Sequence, residues 1–243
     1  MAMRVRDKYL TEQDNEHLAA SGHQPKGFGR RPGLLMVDLY RWVFGDKPLP
    51  LMDAIKEWPG SCGLAAWESL PFIQLLLASA REVGIPVVHV TGLSDSESGV
   101  NGWASANNGS RPGYLGTSAK RARGPEMFNI IDELAPTAGE TLLRKALPNP
   151  FHNTSLLGHL NELGVDTLIV ARESSSGCVR ASVVDACASR FKVVIAEECV
   201  FDSHEATHAL NLFDMHYKPG DVLPLSEIQK WLHEWQAPEG YGR

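Results

Sequence analysis

Three side chains of different chemistry stand where predicted strands end: Asp38, Lys145 and Cys178. A cysteine thiolate is a strong nucleophile, and a carboxylate and an ammonium are the two other reactive groups that the strand ends offer beside it. Cys178 carries the most information, because it follows the turn 174–177 (SSSG) directly and opens a predicted helix. The positive end of that helix is expected to lower the thiol pKa, and the N–H groups of a helix start can face a carbonyl oxygen. Gly177 gives the turn its bend. Each residue alone also has a plainer reading: a small buried cysteine, a capping or ion-paired aspartate, a solvated lysine.

Only a fold that gathers strand ends can bring residues so far apart in the chain together. The apolar run 33–39 (GLLMVDL) is the short continuous kind that a buried parallel strand shows. A helix is predicted over 64–83, stopped by Gly84, and a second strand over 85–91. After a short helical piece at 128–134, a third strand over 140–144 leaves Lys145 at its carboxyl end. A helix at 154–163, a fourth strand at 165–171 and a helix at 178–190 follow. The rest reads as a strand at 191–197, a helix at 204–216, a sixth strand at 221–223 and a helix at 226–235. This alternation predicts an α/β fold: Rossmann-like, three-layer α/β/α, with a six-stranded parallel sheet and its ligand site beyond the strands' carboxyl ends. Residues 1–32 read as an N-terminal arm and 33–243 as one domain. Residues 92–123, rich in Gly, Ser and Asn, read as a site wall or subunit contact.

A chain of 243 residues with 43% hydrophobic content can bury one sizeable core. Its formal net charge of −6 argues against a broad polyanion-binding surface, and Lys120, Arg121 and Arg123 form the densest basic run. No nucleic-acid partner is therefore expected. No apolar stretch approaches the ~20 residues that cross a bilayer, and the first residues lack the apolar segment of a signal peptide, so a cytoplasmic protein without a membrane partner is expected. The four cysteines (Cys62, Cys178, Cys187, Cys199) form neither a disulfide framework nor a CxxC pair. Cys187 and Cys199 read as structural.

The segments 34–40 (LLMVDLY), 145–156 (KALPNPFHNTSL), 174–186 (SSSGCVRASVVDA) and 208–227 (HALNLFDMHYKPGDVLPLSE) resemble the isochorismatase-like hydrolase family. Within it they look most like its cysteine hydrolases, of the N-carbamoylsarcosine amidohydrolase and maleamate amidohydrolase type. The resemblance implies a cysteine-dependent amidohydrolase acting on a small linear amide or ureide through a thioester, with Asp38 as general base, Lys145 as electrostatic support and Cys178 as nucleophile. It further implies a cis peptide between Glu173 and Ser174, the N–H groups of Ser174 and Cys178 as oxyanion hole, and a homo-dimer or homo-tetramer. No cofactor is implied. Nicotinamidase-like relatives carry an Asp-x-His metal site after the first strand, whereas residues 46–63 contain no histidine, so no metal is expected. Asp202-Ser203 stands where relatives often have Asp-Arg, which removes a clamp for a substrate carboxylate.

The substrate-side residues are Glu173, Phe151, His152, Asn153 and Trp103. Glu173 points either to solvent or a neighbouring base, or into the pocket, where it favours a cationic or N–H-rich ligand such as a biuret- or guanylurea-like molecule. Phe151, His152 and Asn153 edge the pocket in the family, although Asn153 or Thr154 equally suits a helix cap. Trp103 and Tyr114 close over a substrate or meet a neighbouring subunit. His204 and His208 read as polar core or interface residues rather than metal ligands. The rival readings are a noncatalytic binding protein on the same scaffold and a thiol redox protein, for which Cys187 is poorly placed as resolving partner.

Overall fold

The computed structural model describes residues 4–93 and 124–241. Six strands, β1 (Pro32–Val37), β2 (Val87–Gly92), β3 (Thr141–Lys145), β4 (Thr167–Glu173), β5 (Lys192–Phe201) and β6 (Asp221–Leu223), form one sheet in the order β3-β2-β1-β4-β5-β6. Every pairing is parallel. The helices are α1 (Glu12–Ser21), α2 (Arg41–Phe44), α3 (Leu51–Glu57), α4 (Leu64–Val83), α5 (Leu156–Glu162), α6 (Arg180–Ala188), α7 (Glu205–Tyr217) and α8 (Leu225–Glu234).

Both faces of the sheet are covered, which explains why β1 and β2 are buried at every position and read as unbroken apolar runs. On one face Leu34, Met36, Ile169 and Ala171 pack against Ile73, Leu76 and Leu77 of α4 and Ile228 and Leu232 of α8. On the other, Leu35, Val37, Leu168 and Val170 meet Leu156 and Leu160 of α5, Val183 of α6 and Leu212 and Met215 of α7. The three-layer architecture is thus the expected one. The winding reverses between β1 and β4, and the carboxyl ends of those two strands bound the crevice where α/β sheets hold ligands.

Two boundaries differ from the sequence expectation in ways that matter for the site. The fourth strand runs on through Arg172 and Glu173, past the apolar run, because Arg172 finds its partners inside the protein instead of in solvent. The helix expected to begin at Cys178 is preceded by a wide turn over Ser175–Val179, closed by the Val179 N–H donating to the Ser174 carbonyl (2.9 Å), and α6 begins only at Arg180.

The N-terminal segment lies along β6 and α7. Arg4 and Arg6 donate to the Val222 carbonyl, Lys8 pairs with Glu205, and Phe28 stacks on Trp231 with centroids 4.0 Å apart. Residues 94–123, with Trp103, Tyr114 and the run Lys120, Arg121 and Arg123, lie outside the described residues. Among the described residues, no helix is long and apolar enough to cross a membrane.

Candidate active site

The chain leaves β1 at Asp38 with φ of 60°, a left-handed conformation that aspartate tolerates better than most residues and that is often held at functional sites. Its carboxylate is fully buried. Lys145, the last residue of β3, places Nζ 2.8 Å from Asp38 Oδ2 and 4.0 Å from Cys178 Sγ. One ammonium therefore touches both the acid and the thiol. The structure brings together all three residues singled out for chemistry.

A fourth residue, not anticipated from the sequence, completes this arrangement. Arg172 is fully buried and donates from Nη2 to Asp38 Oδ2 (3.3 Å) and to the Pro148 carbonyl (2.6 Å). Its Nη1 donates to Ser182 Oγ, which itself donates to the Cys178 carbonyl (2.9 Å). Asp38 is thereby tied to the backbone that carries the thiol. With Oδ2 held by two cations, Asp38 Oδ1 is buried without a hydrogen-bond partner among the described residues, leaving a lone pair to receive a proton.

The turn before the thiol is built by buried polar contacts. The Glu173–Ser174 peptide is cis. Asp202, just past β5, accepts from Ser175 Oγ (3.2 Å), Ser176 N–H (2.9 Å) and Ser176 Oγ (2.6 Å), and Ser175 Oγ lies 2.9 Å from His208 Nδ1. Gly177 has no positive φ; a side chain there would instead press on Ser174 Oγ, 2.8 Å from an added Cβ. Close approach, not backbone freedom, is what asks for glycine.

The electrostatics correct one expectation. Burial pushes the Cys178 thiol up to about 11, with Lys145 and Arg172 pulling against it and Asp38 and Glu173 adding to it. The anticipated lowering by a helix start is outweighed because the thiol sits within the wide turn among apolar and acidic neighbours. Burial likewise lifts Glu173 to about 8, reinforced by Asp38 and Asp202 and opposed by Arg172 and Lys145. Cys62 approaches Glu173 Oε1 at 3.7 Å. Tyr40 is also raised well above its ordinary value by burial, with Asp38, Glu173 and Cys178 contributing.

The other sequence candidates are placed as follows. Phe151 packs toward Phe191, with centroids 6.4 Å apart, at the start of β5 and so toward the opposite end of that strand from its carboxyl end. His152 is exposed and reaches Asp185 of α6 (3.1 Å), which Asn149 also binds (2.6 Å). Asn153 is exposed with φ of 56°. Among the described residues no hydrogen bond or ion pair joins these three to the Asp38–Lys145–Cys178 cluster. His204 flanks α7 beside Ser203, whereas His208 supports the turn through Ser175. Among the described residues no group of His, Cys, Asp and Glu is arranged to hold a metal. Sequence reasoning missed Arg172 and the support that Asp202 gives the turn; an arginine directly behind an apolar run, two residues before the reactive turn, was the available signal.

Comparison with known proteins then decides the lineage. The family model described as an isochorismatase domain matches residues 50–226, a stretch that contains Lys145 and Cys178 and begins after Asp38. The chain belongs to the isochorismatase family. A maleamate amidohydrolase of Pseudomonas putida is 32% identical over 207 residues, covering 85% of this chain and 89% of that protein. An N-carbamoylsarcosine amidase of an Arthrobacter species is 29% identical over 212 residues, covering 85% and 73%. Among solved structures, a cysteine hydrolase from Pseudomonas syringae pv. phaseolicola superposes with a TM-score of 0.68 at 19% identity, covering 85% of this chain and 94% of that one. This last likeness shows the fold alone.

Proposed function

We propose that this protein is a cysteine-dependent amidohydrolase that cleaves the C–N bond of a small amide or ureide through a thioester on Cys178. The family and its curated relatives make the chain a hydrolase of C–N bonds other than peptide bonds. The observation that carries the cysteine mechanism is the Lys145 ammonium touching both the Asp38 carboxylate and the Cys178 thiol, with Asp38 Oδ1 left without a partner among the described residues.

In the first half-reaction the thiol proton passes to Asp38 as sulfur bonds to the carbonyl carbon. The tetrahedral oxyanion is received by the N–H groups of Ser174 and Cys178. The C–N bond then breaks, and the departing nitrogen takes the proton from Asp38, leaving as ammonia or an amine. In the second half, water gives its proton to Asp38 while its oxygen attacks the thioester; the S–C bond breaks and the sulfur recovers the proton. Lys145 and Arg172 keep the carboxylate in place throughout.

Four free cysteines accord with a reducing, cytoplasmic setting, and a homo-dimer or homo-tetramer completes the reading. Ammonia release from a panel of diamides, ω-amides and linear ureides tests the activity, and intact-mass measurement tests the intermediate. An acyl adduct on Cys178, absent from Cys178→Ala, is expected. Turnover that survives Cys178→Ala sinks the cysteine mechanism.

A further inference from the structure

The turn that carries the nucleophile is held from outside by one relay of hydrogen bonds. Ser175 is fully buried, and its Oγ lies 2.9 Å from Nδ1 of His208, in the first turn of α7, and 3.2 Å from Oδ2 of Asp202, just past β5. The same Oδ2 takes the Ser176 N–H (2.9 Å) and the Ser176 O–H (2.6 Å). The carboxyl end of β5, the start of α7 and the reactive turn thus meet at one carboxylate oxygen. Ser175 and Ser176 lie between Ser174 and Cys178, whose N–H groups receive the oxyanion in the mechanism proposed above.

The available protons decide the direction of the relay. A carboxylate only accepts, so both Ser176 groups donate to Asp202. Ser175 has a single hydroxyl proton and two neighbours. Given to Asp202, that proton leaves Ser175 Oγ to accept one that His208 carries on Nδ1, and every contact holds a hydrogen. Given to His208, it leaves the Asp202 contact empty and gives the buried Oγ no donor from either neighbour, which buried polar atoms avoid. The order of the three groups also separates them from a nucleophilic serine, where histidine stands between the acid and the hydroxyl and takes its proton; here the hydroxyl stands in the middle. Asp202 is likewise no second base. Asp38 Oδ1 has no partner among the described residues, whereas Asp202 Oδ2 already receives three donors.

Resting on the amidohydrolase reading, we propose that His208 is a positioning residue for that reaction: its Nδ1–H, passed through Ser175 to Asp202, fixes the turn so that the N–H groups of Ser174 and Cys178 meet the oxyanion. His208 acts through Ser175 and touches neither substrate nor thiol. Its effect is realised in the transition state, where charge gathers on the carbonyl oxygen, so loss of the relay falls on kcat and spares KM. Both the neutral Nδ1–H tautomer and the imidazolium donate from Nδ1, so the relay does not depend on the charge of the ring.

The test follows ammonia release from a panel of diamides, ω-amides and linear ureides that includes succinamide, succinamate and biuret, and the compound turned over fastest by the wild type serves for the kinetics. His208→Ala is expected to lower kcat by about 10- to 100-fold, with KM and the rate of Cys178 alkylation by iodoacetamide little changed. His208→Asn, whose amide N–H stands where the Nδ1–H does, is expected to recover most of that loss. His208→Gln, whose amide reaches one bond further, is expected to recover little. In Ser175→Ala protein, where the relay is already cut, adding His208→Ala is expected to cost no more than about threefold. Nitrogen NMR of the imidazole rings, with His208 identified by its absence from the His208→Asn spectrum, is expected to show a proton on Nδ1. A proton on Nε2 alone, rescue by Gln as good as by Asn, or single losses that multiply in the double variant overturns the inference. So does a loss that falls equally on alkylation, which marks a general loosening of the fold. If the wild type releases ammonia from no compound of the panel, the amidohydrolase reading is overturned, and the proton on Nδ1 or Nε2 still decides the relay by itself.

Discussion

Replacing Lys145 with methionine isolates the electrostatic role of the ammonium while keeping most of the buried stem. Nζ lies 4.0 Å from the Cys178 sulfur. An opposite charge at that range lowers an acid's pKa by about 1–3. Its loss therefore raises the thiol further above its value of about 11. The surviving thiolate becomes somewhat more nucleophilic as its pKa climbs, which returns about 40–50% of the effect. Iodoacetamide alkylation of Cys178 near pH 7 is then expected to slow by about 3- to 50-fold, the gap closing as pH approaches the thiol pKa. Lys145→Arg, which keeps a cation, is expected to lie nearer the wild type. Breaking a buried pair also costs about 3–5 kcal/mol. Arg172 still holds Asp38 Oδ2, so the folded fraction is checked by circular dichroism and the rate referred to it. Equal alkylation rates for Lys145→Met and wild type at every pH would refute the reasoning, because the 4.0 Å contact would then carry no field to the sulfur.

Arg172→Met removes the second cation on Asp38 and strands the Pro148 carbonyl and Ser182. It is expected to lower kcat by about 10²-fold or more with little change in KM, since Arg172 positions the base rather than touching substrate; a change confined to KM counts against this. Glu173→Gln bears on stability. A carboxyl raised to about 8 in the folded state, against about 4.3 unfolded, favours folding least above pH 8, because the unfolded chain releases that proton first. The Gln variant is thus expected to gain in Tm over wild type as pH rises from about 4 to 8; a constant difference between the two denies the shift. Glu140 has the opposite sign. Burial pushes it up, but hydrogen bonds from Arg81, the Thr137 N–H and His89 outweigh this and bring it down to about 2. Its contribution is full above the unfolded value of about 4.3 and is lost as pH falls through about 2. Glu140→Gln is therefore expected to melt lower at pH 7, with the gap shrinking on acidification.

What was legible in the sequence depended on how local its cause is. The strands announced themselves because a sheet covered on both faces needs unbroken apolar runs, and α4 ends at Gly84 because only a left-handed residue, here φ 73°, closes that cap. Asp38, Lys145 and Cys178 were legible because each stands at a strand end or the turn after one. Arg172 was not, since an apolar run followed by a charge reads as a strand end. Its side chain stays inside because Asp38, 134 positions earlier, the Pro148 carbonyl and Ser182 receive it there. The direction of Glu173 was equally hidden, since the Cys62 thiol that meets it lies 111 positions away. The thiol pKa came out with the wrong sign for a related reason. A helix start is read from neighbours in the chain, whereas the burial that overrides it comes from distant elements.

That raised thiol constrains how the site works. At pH 7 a group titrating at about 11 is ionised in about one molecule in 10⁴, and making the thiolate beforehand costs about 5 kcal/mol. For turnover at about 10 s⁻¹ the whole barrier is about 16 kcal/mol, so prior ionisation would consume nearly a third of it. Asp38 Oδ1, without a partner among the described residues, offers a lower route, in which the proton moves to the carboxylate while sulfur bonds to carbon, and negative charge builds on the substrate oxygen rather than on sulfur. Two pH profiles then separate. Alkylation, which needs the thiolate, is expected to rise about tenfold per pH unit from 6 to 8. Over the same range kcat/KM is expected to change little, because Asp38 receives the proton in the same step. Parallel rise of both profiles would mean that a preformed thiolate attacks and that Asp38 serves only to hold Lys145 in place.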